Sequence, residues 1–326
     1  MQNPLEQQDK IPDPIFKDEY SDLLPILDKN ATEKERKEIL KTHAETFGRI
    51  GFSNGEIDET IEEINSFLSA LPEDNLQDIK TFLETLDIDK VNDAIKKGID
   101  RTKSLFPENL IDPKPVLLAG TTNTDGKVIH ENPHEFGINL TNAFSKYYNS
   151  DTRKVDEEKL MKKVEDISAH ESCHVYCEQL PWFGQKKYGL IGGVFDEGLA
   201  TSIDTINYPW HEEYVKEAEF WHEIIKESLN LQSEDHMREM LERVSKNELL
   251  NKYNKGVIKD ITDILEKEKV GDKDFSKVMD KALTEKNGPI YHLGFKLWSD
   301  IYKKEGVKGI KQKILEGPKS FEKYFE

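Results

Sequence analysis

"AHESCHVYCEQLPW", residues 169–182, decides how the rest of this chain is read. It carries His170, Glu171 and His174 in the order HExxH and closes on Pro181, a residue that ends helices. On a helix the two imidazoles project from one side, about one turn apart, so both can reach a single ion. Glu171 then points about 100° around the axis. Its carboxylate lies beside the ion rather than on it, within reach of a water, where a general base belongs. On these residues alone, a surface helix that happens to carry two histidines and a glutamate also fits.

Working outward, Leu160, Val164, Ile167, His170 and His174 follow a helical period, which predicts a helix over 156–180. Just upstream the pattern shortens. Val116 to Ala119 is an apolar run bounded by Pro115 and Gly120, as in a buried strand. Asp125 and Gly126 form a tight-turn pair, after which Val128 and Ile129 begin a returning strand, and "GINL" at 137–140 is a third. Between 18 and 106 the reading is helical. Thr32 with Glu35 makes a capping box and Gly48 marks that helix's end. A second helix carries Ile57, Ile61, Ile64 and Leu68 on one face before Pro72, and further helices cover 75–86 and 89–105. After the loop "PWFGQKKYGLIGG" a helix is expected over 195–206, followed by amphipathic helices beyond Trp210.

These pieces give an α+β, mostly helical chain: a small mixed sheet, the HExxH helix, a second helix bearing a glutamate ligand, and a helical C-terminal part. The expected domains are a helical scaffold over 1–110 and a functional domain over 111–326. Within the latter the sheet spans 115–140, the motif helix 156–180, the glutamate helix 195–206 and a helical subdomain 210–326.

The 326-residue chain is 34% charged and 36% apolar, a composition of water-soluble globular proteins. Its formal net charge of -18 argues against nucleic acid, whose binding depends on lysines and arginines displacing counterions. No apolar run is long enough to span a membrane, and "MQNPLEQQDKIPDPIF" has neither the basic start nor the apolar stretch of a secretory signal, so cytoplasm is expected. The two cysteines, Cys173 and Cys177, lie four apart in the motif helix and are poorly placed to staple the fold. Cys177 follows His174 on nearly the same face, which raises a thiolate ligand or redox control beside the commoner reading of a small buried residue.

A third ligand is needed. A continuation HExxHxxGxxH is excluded, because Cys177 and Leu180 stand where its glycine and histidine belong. A glutamate from a second helix is the alternative, and "FDEGLA" offers Glu197, 23 positions after His174. Small residues Gly198 and Ala200 follow it and permit close helix packing. Two histidines and a glutamate leave one position of a catalytic zinc open to water.

HESCH followed by FDEGLA resembles the gluzincins, the metallopeptidase group that includes thermolysin, and the resemblance covers mainly 116–204. It implies one zinc ion on His170, His174 and Glu197, with Glu171 as general base. It also implies a sheet edge that pairs with extended substrate, for which Gly137, Ile138, Asn139 and Leu140 occupy the matching place, although the commoner reading of such a stretch is an interior strand with no ligand role. The aminopeptidases of the group carry a GAMEN-type motif on that strand to capture a substrate amine. GINLT stands there instead, which disfavours such an exopeptidase, although Glu131 and Glu135 are near in sequence. The group takes its oxyanion donor from a downstream tyrosine or histidine. In "NGPIYHLGFKLW" Tyr291 is the first choice and His292 the second, with Tyr208 and His211 as further candidates. Thr201 and Asp204, four and seven positions past Glu197, are placed to accept hydrogen bonds from a ligand imidazole.

The expected function is a zinc-dependent peptidase acting on a peptide or protein. Its rivals are a metal-binding interaction protein that retains the site without catalysis, and a metallohydrolase of non-peptide substrates.

Overall fold

The structure is a computed structural model, and it describes residues 16–18, 20, 21, 24, 25, 32–49, 61, 62, 66, 69, 72–119, 125–129, 134–185, 188–205, 212–228, 234–247 and 289–326. Contacts divide the chain into two compact units, Met1–Tyr176 and Cys177–Glu326. Among the described residues, no helix is long and apolar enough to cross a membrane. The fold is α+β and mostly helical, with a small mixed sheet.

The first unit opens with a two-residue strand β1 (Lys17–Asp18) and helices α1 (Glu33–Arg49), α2 (Glu73–Glu84) and α3 (Ile88–Lys103). The capping box at the start of α1 forms. The Thr32 amide donates to Glu35 Oε2 at 2.8 Å and the Glu35 amide to Thr32 Oγ1 at 3.2 Å. Asp87 caps α3 by accepting from the Lys90 amide, and the face of Val91, Ala94, Ile95 and Ile99 is buried. The helix expected over Ile57–Leu68 falls mostly outside the described residues.

The sheet follows, with β2 (Lys114–Leu118), β3 (Gly126–Ile129) and β4 (Glu135–Asn139). All three expected strands form, and with β1 they make a sheet in the order β1-β2-β4-β3. β2 runs parallel to β1 and β4, while β3 is antiparallel to β4, with Gly126 opposite Ile138 and Val128 opposite Phe136. Two expectations are corrected. The strand after Asp125 does not return onto β2 but pairs with β4. And residues 137–140 are not a sheet edge: residues 137–139 form the interior strand of the alternative reading, because β4 is hydrogen-bonded on both sides, and Leu140 begins a helix. Burial supplies the reason. Phe136, Gly137, Ile138 and Asn139 are all buried, which suits a central strand, whereas β3 leaves Gly126 and the charged Lys127 half-exposed, as an edge tolerates.

Asn139 ends β4 by capping α4 (Leu140–Tyr147), accepting from the Asn142 amide at 3.3 Å. A short hairpin, β5 (Tyr148–Asn149) with β6 (Lys154–Val155), leads into α5 (Glu157–Glu178), the motif helix, within two residues of its expected bounds. α3 and α5 cross at contact distance. A Cβ on Gly98 would stand 2.3 Å from the Glu165 carbonyl oxygen, and Thr102 Oγ1 donates to the Ala169 carbonyl at 2.9 Å. Arg101 pairs with Glu165 at 2.9 Å and Asp166 at 3.1 Å. Tyr176 donates to Asp112 at 2.9 Å and stacks on Phe106. The motif helix is therefore held along its length by α3 and the segment after it.

The second unit contains α6 (Gly189–Thr205), α7 (Glu212–Ser228), α8 (Glu234–Lys246), α9 (Pro289–Glu316, kinked at Gly306) and α10 (Lys319–Glu322). α6 starts six residues earlier than expected. Gly189, Gly192 and Gly193 read as loop by propensity, but Leu190, Val194 and Phe195 are buried there, and packing outweighs about 1 kcal/mol of glycine cost per residue. Phe195, Trp298, Phe321 and Trp182 form an aromatic core, with Trp298 Nε1 donating to the Phe195 carbonyl at 2.8 Å.

Candidate metal centre

His170 and His174 come off successive turns of α5, with Nε2 atoms 3.2 Å apart and ring planes at 73°. Two imidazole nitrogens on one tetrahedral zinc at about 2.0–2.1 Å would lie roughly 3.3 Å apart. The pair thus has the spacing such an ion needs. Both rings are half-buried, on a helix whose Ala169, Ser172, Cys173 and Cys177 are completely buried.

Glu171, between the two histidines in sequence, packs against the sheet. It is buried at 7% exposure against the start of β3, where a Cβ on Gly126 would lie 2.8 Å from its Cγ and Oε1. The divergence of Glu171 from the two histidines follows from the helical angle alone.

Glu197 lies in the third turn of α6, so it is mid-helix rather than near a helix start. Its side chain lines a cavity of ≈ 420 Å³ together with Trp182, Phe183, Tyr188, Asp196 and Ile290. Among the described residues, His170, His174 and Glu197 form the one group of three or more His, Cys, Asp or Glu whose ligand atoms all lie within 4.8 Å of one another. That is the donor set expected of a hydrolytic zinc. Neither cysteine belongs to the group, and both are free and buried.

The Gly198 next to Glu197 does more than permit packing. A Cβ on it would lie 2.3 Å from Gly294 Cα, and one on Gly294 would lie 2.2 Å from the Val194 carbonyl oxygen. α6 and α9 therefore touch backbone to backbone through two glycines. Tyr291 precedes Gly294 by three residues and shares its side of α9, the side that meets α6, with Ile290 reaching the Glu197 cavity. His292 lies about 160° around the helix from Gly294. Its Nδ1 is 3.1 Å from Oε1 of Glu217 on α7, a carboxylate only 3% exposed that also accepts from Trp221 Nε1. The two neighbours in sequence thus serve different faces, a distinction the stretch "YHLG" did not reveal.

Of the remaining candidates, Thr201 is half-buried one turn past Glu197 on α6. Asp204 lies on the same helix, but its side chain, like Tyr208, His211 and Glu131, lies outside the described residues. Glu135 opens β4.

One group near Glu171 escaped the sequence reading. Asp125 accepts from Asn142 Nδ2 at 2.8 Å and from Lys146 Nζ at 2.6 Å, both on α4, and from Lys163 Nζ on α5 at 2.8 Å. Burial pushes its carboxyl up, but the two lysines outweigh that and hold it below the ordinary carboxylate value. A turn aspartate gives no sequence sign of such partners, which lie 17 to 38 positions away.

Comparison with curated proteins and with solved structures finds no match. A family model described as "Putative zinc dependent peptidase (DUF5700)" matches residues 5–326, and the chain belongs to that family.

Proposed function

We propose that this protein is a zinc peptidase of the gluzincin type, with residues 111–326 as its catalytic region and a peptide or protein as substrate. The observation that carries the reading is the 3.2 Å spacing of the two Nε2 atoms, with a Glu197 oxygen within 4.8 Å of them and a separate carboxylate, Glu171, set to one side. A purely structural metal site has no use for that fourth group.

His170, His174 and Glu197 would hold one zinc ion. When bound, the ion supplies a Lewis acid that polarises the scissile carbonyl and makes a water acidic enough to lose its proton near neutral pH. Glu171 accepts that proton and passes it to the leaving amine as the carbon–nitrogen bond breaks. Its burial keeps bulk water from competing for the proton. The Tyr291 hydroxyl donates a hydrogen bond to the developing oxyanion, and we prefer it to His292, whose Nδ1 is engaged by Glu217. An extended substrate adds to the sheet along β3, whose outer side has no strand neighbour among the described residues.

Digestion of a mixed peptide library, with and without a chelator and zinc, tests the proposal. Cleavage should vanish on chelation and return with zinc. Glu171→Gln should retain zinc and lose about 10²- to 10⁴-fold in kcat. No peptide cleavage by zinc-loaded protein, alongside hydrolysis of esters or other non-peptide bonds, would replace the reading with a different metallohydrolase. Undiminished activity in the glutamine variant would remove Glu171 from the mechanism.

A further inference from the structure

We infer that Asp125 and Gly126 are positioning residues for Glu171: the lysine-clamped start of β3 forms a backbone wall that fixes the carboxylate, and the missing side chain at 126 leaves the room it occupies. This rests on the reading of Glu171 as the base.

Space is the first ground. A Cβ on Gly126 would meet Ile167 Cγ2 at 2.6 Å and Glu171 Cγ and Oε1 at 2.8 Å. Ile167 is β-branched, 4% exposed and packed in the core, so it has nowhere to go. Glu171 is the flexible neighbour, and it would yield. The wall itself is fixed. Gly126 pairs with Ile138 of the central strand, and the Asn139 amide donates to the Asp125 carbonyl at 2.8 Å.

Charge is the second ground. Lys163 lies on α5 two turns before Glu171, and Lys146 and Asn142 lie on α4. All three converge on one carboxylate, that of Asp125. The separation between the motif helix and the start of β3 is thereby set next to the base. A carboxylate caught between its own helix and a strand has few rotamers open to it, and this pre-orientation is what a proton-transfer group needs.

Gly126→Ala is the direct test, with crystal structures of variant and wild type beside their kinetics. The expected result is a displaced Glu171 carboxylate, kcat lower by about 100-fold, and unchanged KM and bound zinc. A Glu171 carboxylate in its wild-type position, or wild-type kcat, overturns the inference. Should the alanine protein not fold, Asp125→Asn gives a second arm. It keeps the shape and removes the charge that holds two lysines, and it should lower kcat without loss of zinc; full kcat with β3 unmoved overturns the clamp. If the wild type itself cleaves no peptide, the peptidase reading fails separately, and the position of Glu171 in the alanine protein still decides this one.

Discussion

Glu171, Tyr291 and His292 show how a single helical step assigns chemistry. Glu171 is adjacent to His170 yet faces the sheet, and Tyr291 adjoins His292 yet lies on the side of α9 that meets α6. His292 pairs instead with the buried carboxylate of Glu217 on α7. Tyr291→Phe should therefore lower kcat by about 10²- to 10³-fold with little change in KM or bound zinc, measured by steady-state hydrolysis and metal analysis. Unchanged kcat would remove Tyr291 as the donor. HESCH was legible as residues because its spacing is local. The partners of Asp125 were not, because nothing in the sequence joins positions 125, 146 and 163 before the chain folds.

Among the elements, α6 and β4 show where local reading stops. The glycines of "YGLIGG" argue for loop by propensity, and burial of Leu190, Val194 and Phe195 overrides them. "GINL" reads as strand correctly, but whether a strand is central or at an edge depends on its neighbours, and β3 and β2 both pair with it. The glycine pair at 198 and 294 is decisive for α6 and α9. In Gly294→Ala the new Cβ would face the Val194 carbonyl oxygen at 2.2 Å and Gly198 Cα at 2.5 Å, backbone atoms that cannot rotate aside. Destabilisation of about 1–3 kcal/mol is expected, read as an earlier loss of tryptophan fluorescence on heating. A melting curve equal to wild type would mean that the two helices have room to separate.

In the whole molecule, tryptophan is unevenly placed. Trp182, Trp210, Trp221 and Trp298 all fall in the second unit, so tryptophan fluorescence reports on that unit alone. In the first unit, Asp78, Asp112 and Asp125 have carboxyls held below their ordinary values. The Arg153 guanidinium does this for Asp78 and Lys103 for Asp112, while at Asp125 the two lysines overcome the opposing effect of burial. A lowered folded value means stability that is fully present above the unfolded value of about 3.9 and lost as pH falls through the folded one. Acidification from pH 6 toward 3 should therefore lower the melting temperature of the first unit, followed by circular dichroism, and should lower it less in Asp125→Asn. An equal acid loss in that variant would exclude Asp125 as a contributor. By itself the sequence determined the helical periods, the strand segments and the three residues of HExxH whose spacing suits a metal and a base, because each depends on contacts within a few turns of chain. Only the tertiary structure decided the strand order, the start of α6, the face each of Tyr291 and His292 serves, and the strand that walls in Glu171. These depend on burial and close approach between segments distant in sequence, which no local pattern encodes.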